Sequence, residues 1–193
     1  MAWVSTSPLV KTYTLEEFWE LPEPPDRSKL ELIAGVLYMT PAPTQLHNNT
    51  ASRLNRLLNE HLIKSGIRGT LFIPRAGIIR GPNSWLEPDL FFIAGDVQEY
   101  LDPEYPQYLH TADLVIEIIS PGSAIYDRNT KSDTYAALGV KELWLVDEPA
   151  GIVEVRILSD NRYGPSMVFE HDDKLTSTVL SGFDVRVGDV FGS

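Results

Sequence analysis

The segment Asp113-Leu-Val-Ile-Glu-Ile-Ile-Ser120 constrains the fold more than any other part of the chain. Its apolar residues fill both alternating sets of positions, the pattern of a strand covered on both faces in the middle of a sheet. Pro121-Gly122 breaks it, helix signals resume from Ser123 or Asp127 through Leu138, and Gly139 supplies a C-terminal stop. A second buried strand, Glu142-Leu-Trp-Leu-Val-Asp147, comes next. A strand, a crossover helix and a strand imply a parallel pair. Glu117 stands in the centre of the first strand, on the face it shares with Val115 and Ile119.

Smaller elements surround this unit. Residues 13 to 20 predict a short helix capped by Thr14, with Glu17 three residues on as in a capping box. After the prolyl break that follows, residues 29 to 39 read as two strands around a tight turn at Ala34-Gly35, with Glu31 inside the first. Residues 47 to 64 form the clearest helix, with Leu54, Leu57, Leu58, His61 and Leu62 at helical spacing and Gly66 at its end. Extended pieces follow near 70–73 and 77–79, and Pro88-Asp89 leads into Leu-Phe-Phe-Ile93. Residues 99 to 110, rich in Tyr, Pro and acid, read as a loop. Beyond Ile152, alternation predicts strands at 152–157, 167–170, 175–177 and 183–187. The expected fold is mixed α/β, a mixed sheet flanked by helices with a β-rich C-terminal part. One domain over residues 1–193 is expected, with residues 1–12 as an extended or flexible lead-in.

Composition removes several function classes. No cysteine is present, which excludes disulfides, thiolate metal sites and thiol nucleophiles and suits a reducing cytoplasm. The N-terminus lacks a basic start before an apolar core, and no apolar run approaches the ~18 residues of a membrane span. The net charge of −11 argues against coating nucleic acid through an overall field, though not against one cleft that brings metal to it. The sequence lacks G-x-x-x-x-G-K-[ST], G-x-G-x-x-G and G-x-S-x-G, so NTP hydrolysis, dinucleotide binding and serine hydrolysis lose their usual support.

Two carboxylates stand where a plain fold does not place them. Glu117 lies inside an apolar strand, and Asp89 begins another directly after a proline. A lone ionised carboxylate in such surroundings costs several kcal/mol and must be protonated, paired or coordinated. A divalent cation satisfies both at once. The plainer readings are a buried salt bridge for Glu117 and a turn aspartate for Asp89. On a helix from 127 to 138, Asp127, Lys131 and Tyr135 share one face, so Lys131 can stand beside the two carboxylates; its plainer reading is a surface ion pair with Asp127. The four histidines carry no metal-motif spacing, and His47 and His61 read first as helix-end and core residues.

The ordered series Glu31, Pro88-Asp89, Glu117-Ile-Ile-Ser-Pro, Asp127, Lys131, Tyr135 and Gly139-Val-Lys-Glu-Leu-Trp-Leu-Val-Asp147 resembles the Uma-type family of bacterial restriction-endonuclease-like proteins, over residues 13 to 185. The resemblance implies a PD-(D/E)xK nuclease fold with metal ligands at Asp89 and Glu117 and a contribution from Glu31. It departs from the standard motif at Ile119, where a lysine is expected; in this family the lysine stands on the following helix, at Lys131. The implied activity is endonucleolytic phosphodiester hydrolysis in nucleic acid, with DNA the expected form. Mg²⁺ or Mn²⁺ would lie on Asp89, Glu117 and a carbonyl near Ile118. Lys131 would steady developing charge, and Glu31 would hold an outer water or second metal. A role for His47 near the phosphate comes second to helix-end structure. A homodimer is the expected assembly. The alternatives are a nuclease-fold binding module with weak or no catalysis, and a structural dimer assembled through Trp3, Tyr100, Tyr105 and Tyr108.

Overall fold

The computed structural model describes residues 11–192. Helix α1 (Leu15–Trp19) opens it, and its capping box closes as expected: Glu17 N–H donates to Thr14 Oγ1 and Thr14 N–H to the Glu17 carboxylate. Strands β1 (Lys29–Ile33) and β2 (Val36–Thr40) form an antiparallel hairpin. Its turn needs left-handed backbone at Ala34 (φ 50°) and Gly35 (φ 81°), the geometry that matches the twist of a two-residue hairpin loop. Helix α2 (Gln45–Ser65) runs two residues further at its start than the leucine spacing marks, because Thr44 is the cap; Gly66 ends it in left-handed geometry.

Strands β3 (Gly69–Phe72), β4 (Ile78–Ile79), β5 (Trp85–Leu86) and β6 (Leu90–Ala94) follow, and then β7 (Leu114–Ile119). The crossover helix α3 is continuous but not uniform: helical turns at Ala124–Tyr126 and Ser132–Ala137 flank a π turn at Asp127–Lys131. Strands β8 (Glu142–Asp147), β9 (Ile152–Ser159), β10 (Arg162–Tyr163), β11 (Met167–Phe169), β12 (Lys174–Thr176) and β13 (Asp184–Arg186) complete the sheets. A short helix α4 (Val187–Phe191) stands at the end of the described chain.

The large sheet has the order β10-β9-β8-β7-β6-β3, with β11 also on β9, and a second sheet runs β2-β1-β5-β4. Strands β7 and β8 pair in parallel, Glu117 level with Leu145, as the crossover requires. All six residues of β7 are buried. Leu114, Ile116 and Ile118 face one core with Leu54, Leu58 and Leu62 of α2, and Val115 and Ile119 face the other with Tyr135 of α3. The mixed α/β architecture with a strand-rich C-terminal part is as expected.

Some expectations change. Segment 183–187 was expected as strand to its end, yet from Val187 the chain turns into α4. Val187 and Val190 are fully buried there, and Arg53 Nη1 donates to the Phe191 carbonyl at 2.8 Å. Tertiary burial, not local propensity, makes this helix. The expected lead-in at 1–12 lies, up to residue 10, outside the described residues, as does Trp3. Tyr100, Tyr105 and Tyr108 are half-buried, not a free aromatic surface: Tyr105 and Tyr108 pack on Trp19, and Tyr100 Oη donates to Asp113. Among the described residues, no helix is long and apolar enough to cross a membrane.

Candidate active site

Strand pairing explains why a gap exists beside Glu117. Strands β6 and β7 are antiparallel, and their register ends at Leu90–Ile116. Past that point β7 continues while β6 has been left behind at Pro88-Asp89. Asp89 Oδ2 fills the vacated ladder position by accepting the Ile118 N–H at 2.8 Å. In a strand, the N–H and C=O of one residue serve the same neighbour, so the Ile118 carbonyl faces the same gap. Asp89 therefore does more than shape a turn after Pro88.

Lys131 joins the carboxylates. Its Nζ lies 2.5 Å from Glu117 Oε1, 3.2 Å from Glu31 Oε1 and 3.8 Å from Asp127 Oδ1. All four residues are between 1% and 4% exposed, so the Asp127–Lys131 pair is not the surface pair the plainer reading supposed. The salt-bridge reading of Glu117 and the site reading converge, since the partner is Lys131 itself. Ile119 is a packed core residue beside Phe91 and Tyr135.

Neighbouring side chains hold this group in place. Tyr135 Oη donates to Glu117 Oε1 at 2.5 Å. Glu31 Oε2 accepts from Tyr126 Oη at 3.2 Å, and Glu31 Oε1 from the Glu87 N–H at 3.0 Å. The Tyr126 ring stacks on Tyr38, and the Lys131 ammonium lies 5.8 Å over it. Lys29 stands 3.7 Å from Glu31 and donates to the Glu87 carbonyl.

His47, read first as helix-end structure, is part of the site. Its Nε2 is 3.1 Å from Asp89 Oδ2, while its buried Nδ1 has no hydrogen-bond partner among the described residues. One turn along α2, Thr50 Oγ1 donates to Glu148, on the turn after β8. The missed signal was spacing: Asp89 lies 42 residues from His47, so nothing local in the sequence joins them.

Charge is out of balance here. Glu31, Asp89, Glu117 and Asp127 bring four negative charges, and Lys29 and Lys131 two positive ones; protonated His47 would add a third. Burial opposes the Lys131 charge, but the Glu117, Glu31 and Asp127 carboxylates outweigh it and hold its pKa well above the ordinary value. Burial also pushes Glu31 up, yet Lys131 and Lys29 carry it below the usual range. Asp89 is held at about 2, burial being overcome by its His47 bond and by the charges of Lys29, His47 and Lys131. His47 is raised: burial opposes its charge, and the Asp89 hydrogen bond and charge prevail. The deficit falls on Glu117, which burial, with Asp89 and Glu31 nearby, pushes up to about 7 despite Lys131. Asp127 is raised as well, chiefly by burial.

Two other buried carboxylates show what a structural one looks like in this chain. Glu142 is fully buried, and its oxygens accept from Trp144 Nε1 at 2.6 Å and from the N–H and Oγ1 of Thr178 at 2.7 and 2.5 Å. Asp113 takes the Ala94 N–H, Tyr100 Oη and Lys141. Neutral donors or one lysine of its own satisfy each. Glu117 accepts from Tyr135 Oη, but its ammonium, Lys131, is shared with Glu31 and Asp127.

The donor set fits a hard divalent cation. Among the described residues, no three His, Asp or Glu side chains form a ready-made coordination group. Two carboxylates and a carbonyl nevertheless suit Mg²⁺, which binds through one or two carboxylates and keeps several waters. With His47 neutral, a 2+ charge also cancels the surplus of four carboxylates over two lysines.

Residues 15–188 match the Uma2 family, described as putative restriction endonuclease. The chain belongs to this family. Among solved structures, a putative nuclease from Anabaena variabilis ATCC 29413 matches this Uma2 member with a TM-score of 0.73. The match covers 93% of this chain and 98% of that one at 22% sequence identity, a likeness of fold. A comparison with curated proteins finds no match.

Proposed function

We propose that this Uma2 member is a divalent-metal-dependent endonuclease that hydrolyses phosphodiester bonds in nucleic acid, with DNA as its substrate. Asp89, Glu117 and the Ile118 carbonyl would hold Mg²⁺ or Mn²⁺. The observation that carries the proposal is the excess of buried carboxylate around Lys131, which leaves Glu117 at about 7 in the metal-free protein. When bound, the ion polarises the phosphate and lowers the pKa of a bound water.

The side chains divide the remaining work. Lys131, kept charged by its neighbours, can donate to a phosphoryl oxygen and offset charge that builds there. Glu31 holds the Lys131 ammonium on one side and can retain an outer water. Tyr135 fixes Glu117 through its hydroxyl proton, and His47 with the Ile118 N–H fixes Asp89. A homodimer would bring two identical sites to the two strands of a duplex.

Calorimetric titration of Mg²⁺ and Mn²⁺ into the native chain and into Asp89→Ala tests the metal site; binding is expected in the first and lost in the second. Plasmid and single-stranded DNA cleavage tests turnover. Cleavage that survives both Glu117→Ala and Lys131→Ala would place the activity elsewhere. Metal binding without cleavage of either substrate would favour a binding module, the reading that the net charge of −11 supports. Mass in solution tests the dimer.

A further inference from the structure

A cavity of about 660 Å³ lies between the Ser132–Ala137 turns of α3 and the β9–β10 hairpin, and none of Glu31, Asp89, Glu117 and Lys131 lines it. Ser132, Asp133, Arg156, Arg162 and Ser166 are among its lining residues. Arg156 is mostly buried and held chiefly by neutral acceptors. Its Nε donates to Ser166 Oγ at 3.0 Å, and its Nη1 to the Arg128 carbonyl at 2.8 Å and to Ser132 Oγ at 3.0 Å. Its nearest carboxylate oxygen, on Glu154, is 3.5 Å from Nη2, while the other oxygen of Glu154 belongs to Arg128. Arg156 is thus oriented without being closely neutralised.

Arg162 is exposed at the start of β10 and has no ion pair among the described residues. The left-handed turn at Asp160 (φ 51°) and Asn161 (φ 60°) presents it at the mouth. Ser166 Oγ accepts from Arg156, which leaves its hydroxyl proton available to a ligand. Two arginines against Asp133 give this lining a charge of +1, in a chain of net charge −11.

We propose that this pocket binds a phosphoryl group, specifically a backbone phosphate of the nucleic-acid strand on the far side of α3 from the carboxylates; the strand rests on the nuclease reading. Arg156 keeps one Nη2 N–H beyond its four bonds, and with the exposed Arg162 guanidinium and the Ser166 hydroxyl it suits phosphate, because arginine stays charged and donates to phosphate oxygens. Lys131 and Ser132 are consecutive, so the pocket and the carboxylates lie on two sides of one helix. A helix is about 10–12 Å across, a width that a few nucleotides of one strand span. One strand crossing α3 can meet both.

The test has two arms. In the first, inorganic phosphate is titrated into the native chain and into Arg162→Ala, following the amide signals of Asn161, Gly164 and Ser166 and the Arg156 Nε signal by NMR. Saturable shifts that vanish in Arg162→Ala support the pocket, and their absence in the native chain overturns it. In the second arm, metal-free binding of a single-stranded oligonucleotide is measured against salt. Loss of one phosphate contact should flatten the log–log slope by about 0.7 in Arg162→Ala. An unchanged slope overturns the strand assignment. Phosphate binding in the pocket with no oligonucleotide binding anywhere counts against the nuclease reading and identifies a site for free phosphate. Arg162 is exposed on a two-residue strand, and unchanged thermal melting would show that its replacement spares the fold.

Discussion

Replacing Glu117 by glutamine should make the metal-free protein more stable at alkaline pH, the opposite of what breaking a favourable salt bridge does. Its carboxyl moves from an ordinary 4.5 to about 7 on folding. A raised pKa in the folded state means that the stabilising contribution is complete below pH 4.5 and is lost as pH rises through 7. At about 1.4 kcal/mol for each tenfold change, the native chain gives up about 3 kcal/mol across that window. Glutamine keeps the shape and can still accept from Tyr135 Oη, but it adds no charge to a group that already has too much. Urea unfolding in chelator at pH 5 and pH 8 is the assay. Glu117→Gln should match or trail the native chain at pH 5 and exceed it at pH 8, by up to about 3 kcal/mol. Added Mg²⁺ should then stabilise the native chain and not the variant. A variant less stable than the native chain at pH 8 would show that Lys131 fully compensates Glu117, and the argument for a missing cation would fall with it.

The acid side should behave in the reverse sense. Asp89 is held at about 2 against an ordinary 3.8, so its contribution is present above pH 3.8 and disappears as pH falls through 2. The loss is about 2 kcal/mol. Asp89→Asn should lack it in urea midpoints from pH 5 to pH 2, and an equally steep fall in the variant would contradict the His47 pairing. Lys131→Met strands Glu117, Glu31 and Asp127 together and should cost about 3–5 kcal/mol by calorimetry at pH 8, where a loss below about 1 kcal/mol would refute the shared-ammonium picture. Ser132→Ala removes a hydroxyl that donates to the Asp127 carbonyl at 3.1 Å and accepts from Arg156, and should cost about 1 kcal/mol. The same change should shift the Lys131 Nζ resonance and lower kcat with KM unchanged; an unmoved resonance would confine Ser132 to a structural role.

The sequence made β7, α3 and β8 legible because burial on both faces leaves an unbroken apolar run, and a parallel pair needs a crossover. The same run exposed Glu117, since a charge in such a strand demands a partner. It did not distinguish Glu117 from Glu142 or Asp113, which are just as buried. What separates them is the count of neighbouring donors, and Thr178, Tyr100 and Lys141 come from segments far along the chain. His47 was underread for a related reason: a histidine at a helix start has a sufficient local explanation, and Asp89 reaches it only when β6 and α2 pack together. Helix α4 was hidden because Val187 and Val190 alternate too briefly to show a period, and their burial against α2 decides the matter.

The π turn in α3 accounts for how a lysine on a helix can stand where one on β7 is expected. Position 119 is occupied by a packed isoleucine, so the ammonium must arrive from across the gap, and Glu31 must be held from the same direction. Tyr126 and Lys131 both reach Glu31, by a hydroxyl at 3.2 Å and an ammonium at 3.2 Å. They are five residues apart, and on a regular α-helix that spacing separates two side chains by about 140°. With bonding from i to i+5, the wider turn brings residues five apart much closer to one face. The Ser132 N–H reaching the Asp127 carbonyl is that bond, and Ser132 Oγ and Arg156 brace it from the outer side. A π turn is a costly departure from helix geometry that short helices do not adopt without support. Its support here comes from β9, and its result is one ammonium placed between Glu31 and Glu117. Placing Lys131 beside Glu117 therefore depends on the helix backbone as well as on the residue, and the local sequence Asp127-Arg-Asn-Thr-Lys131 records only the residue.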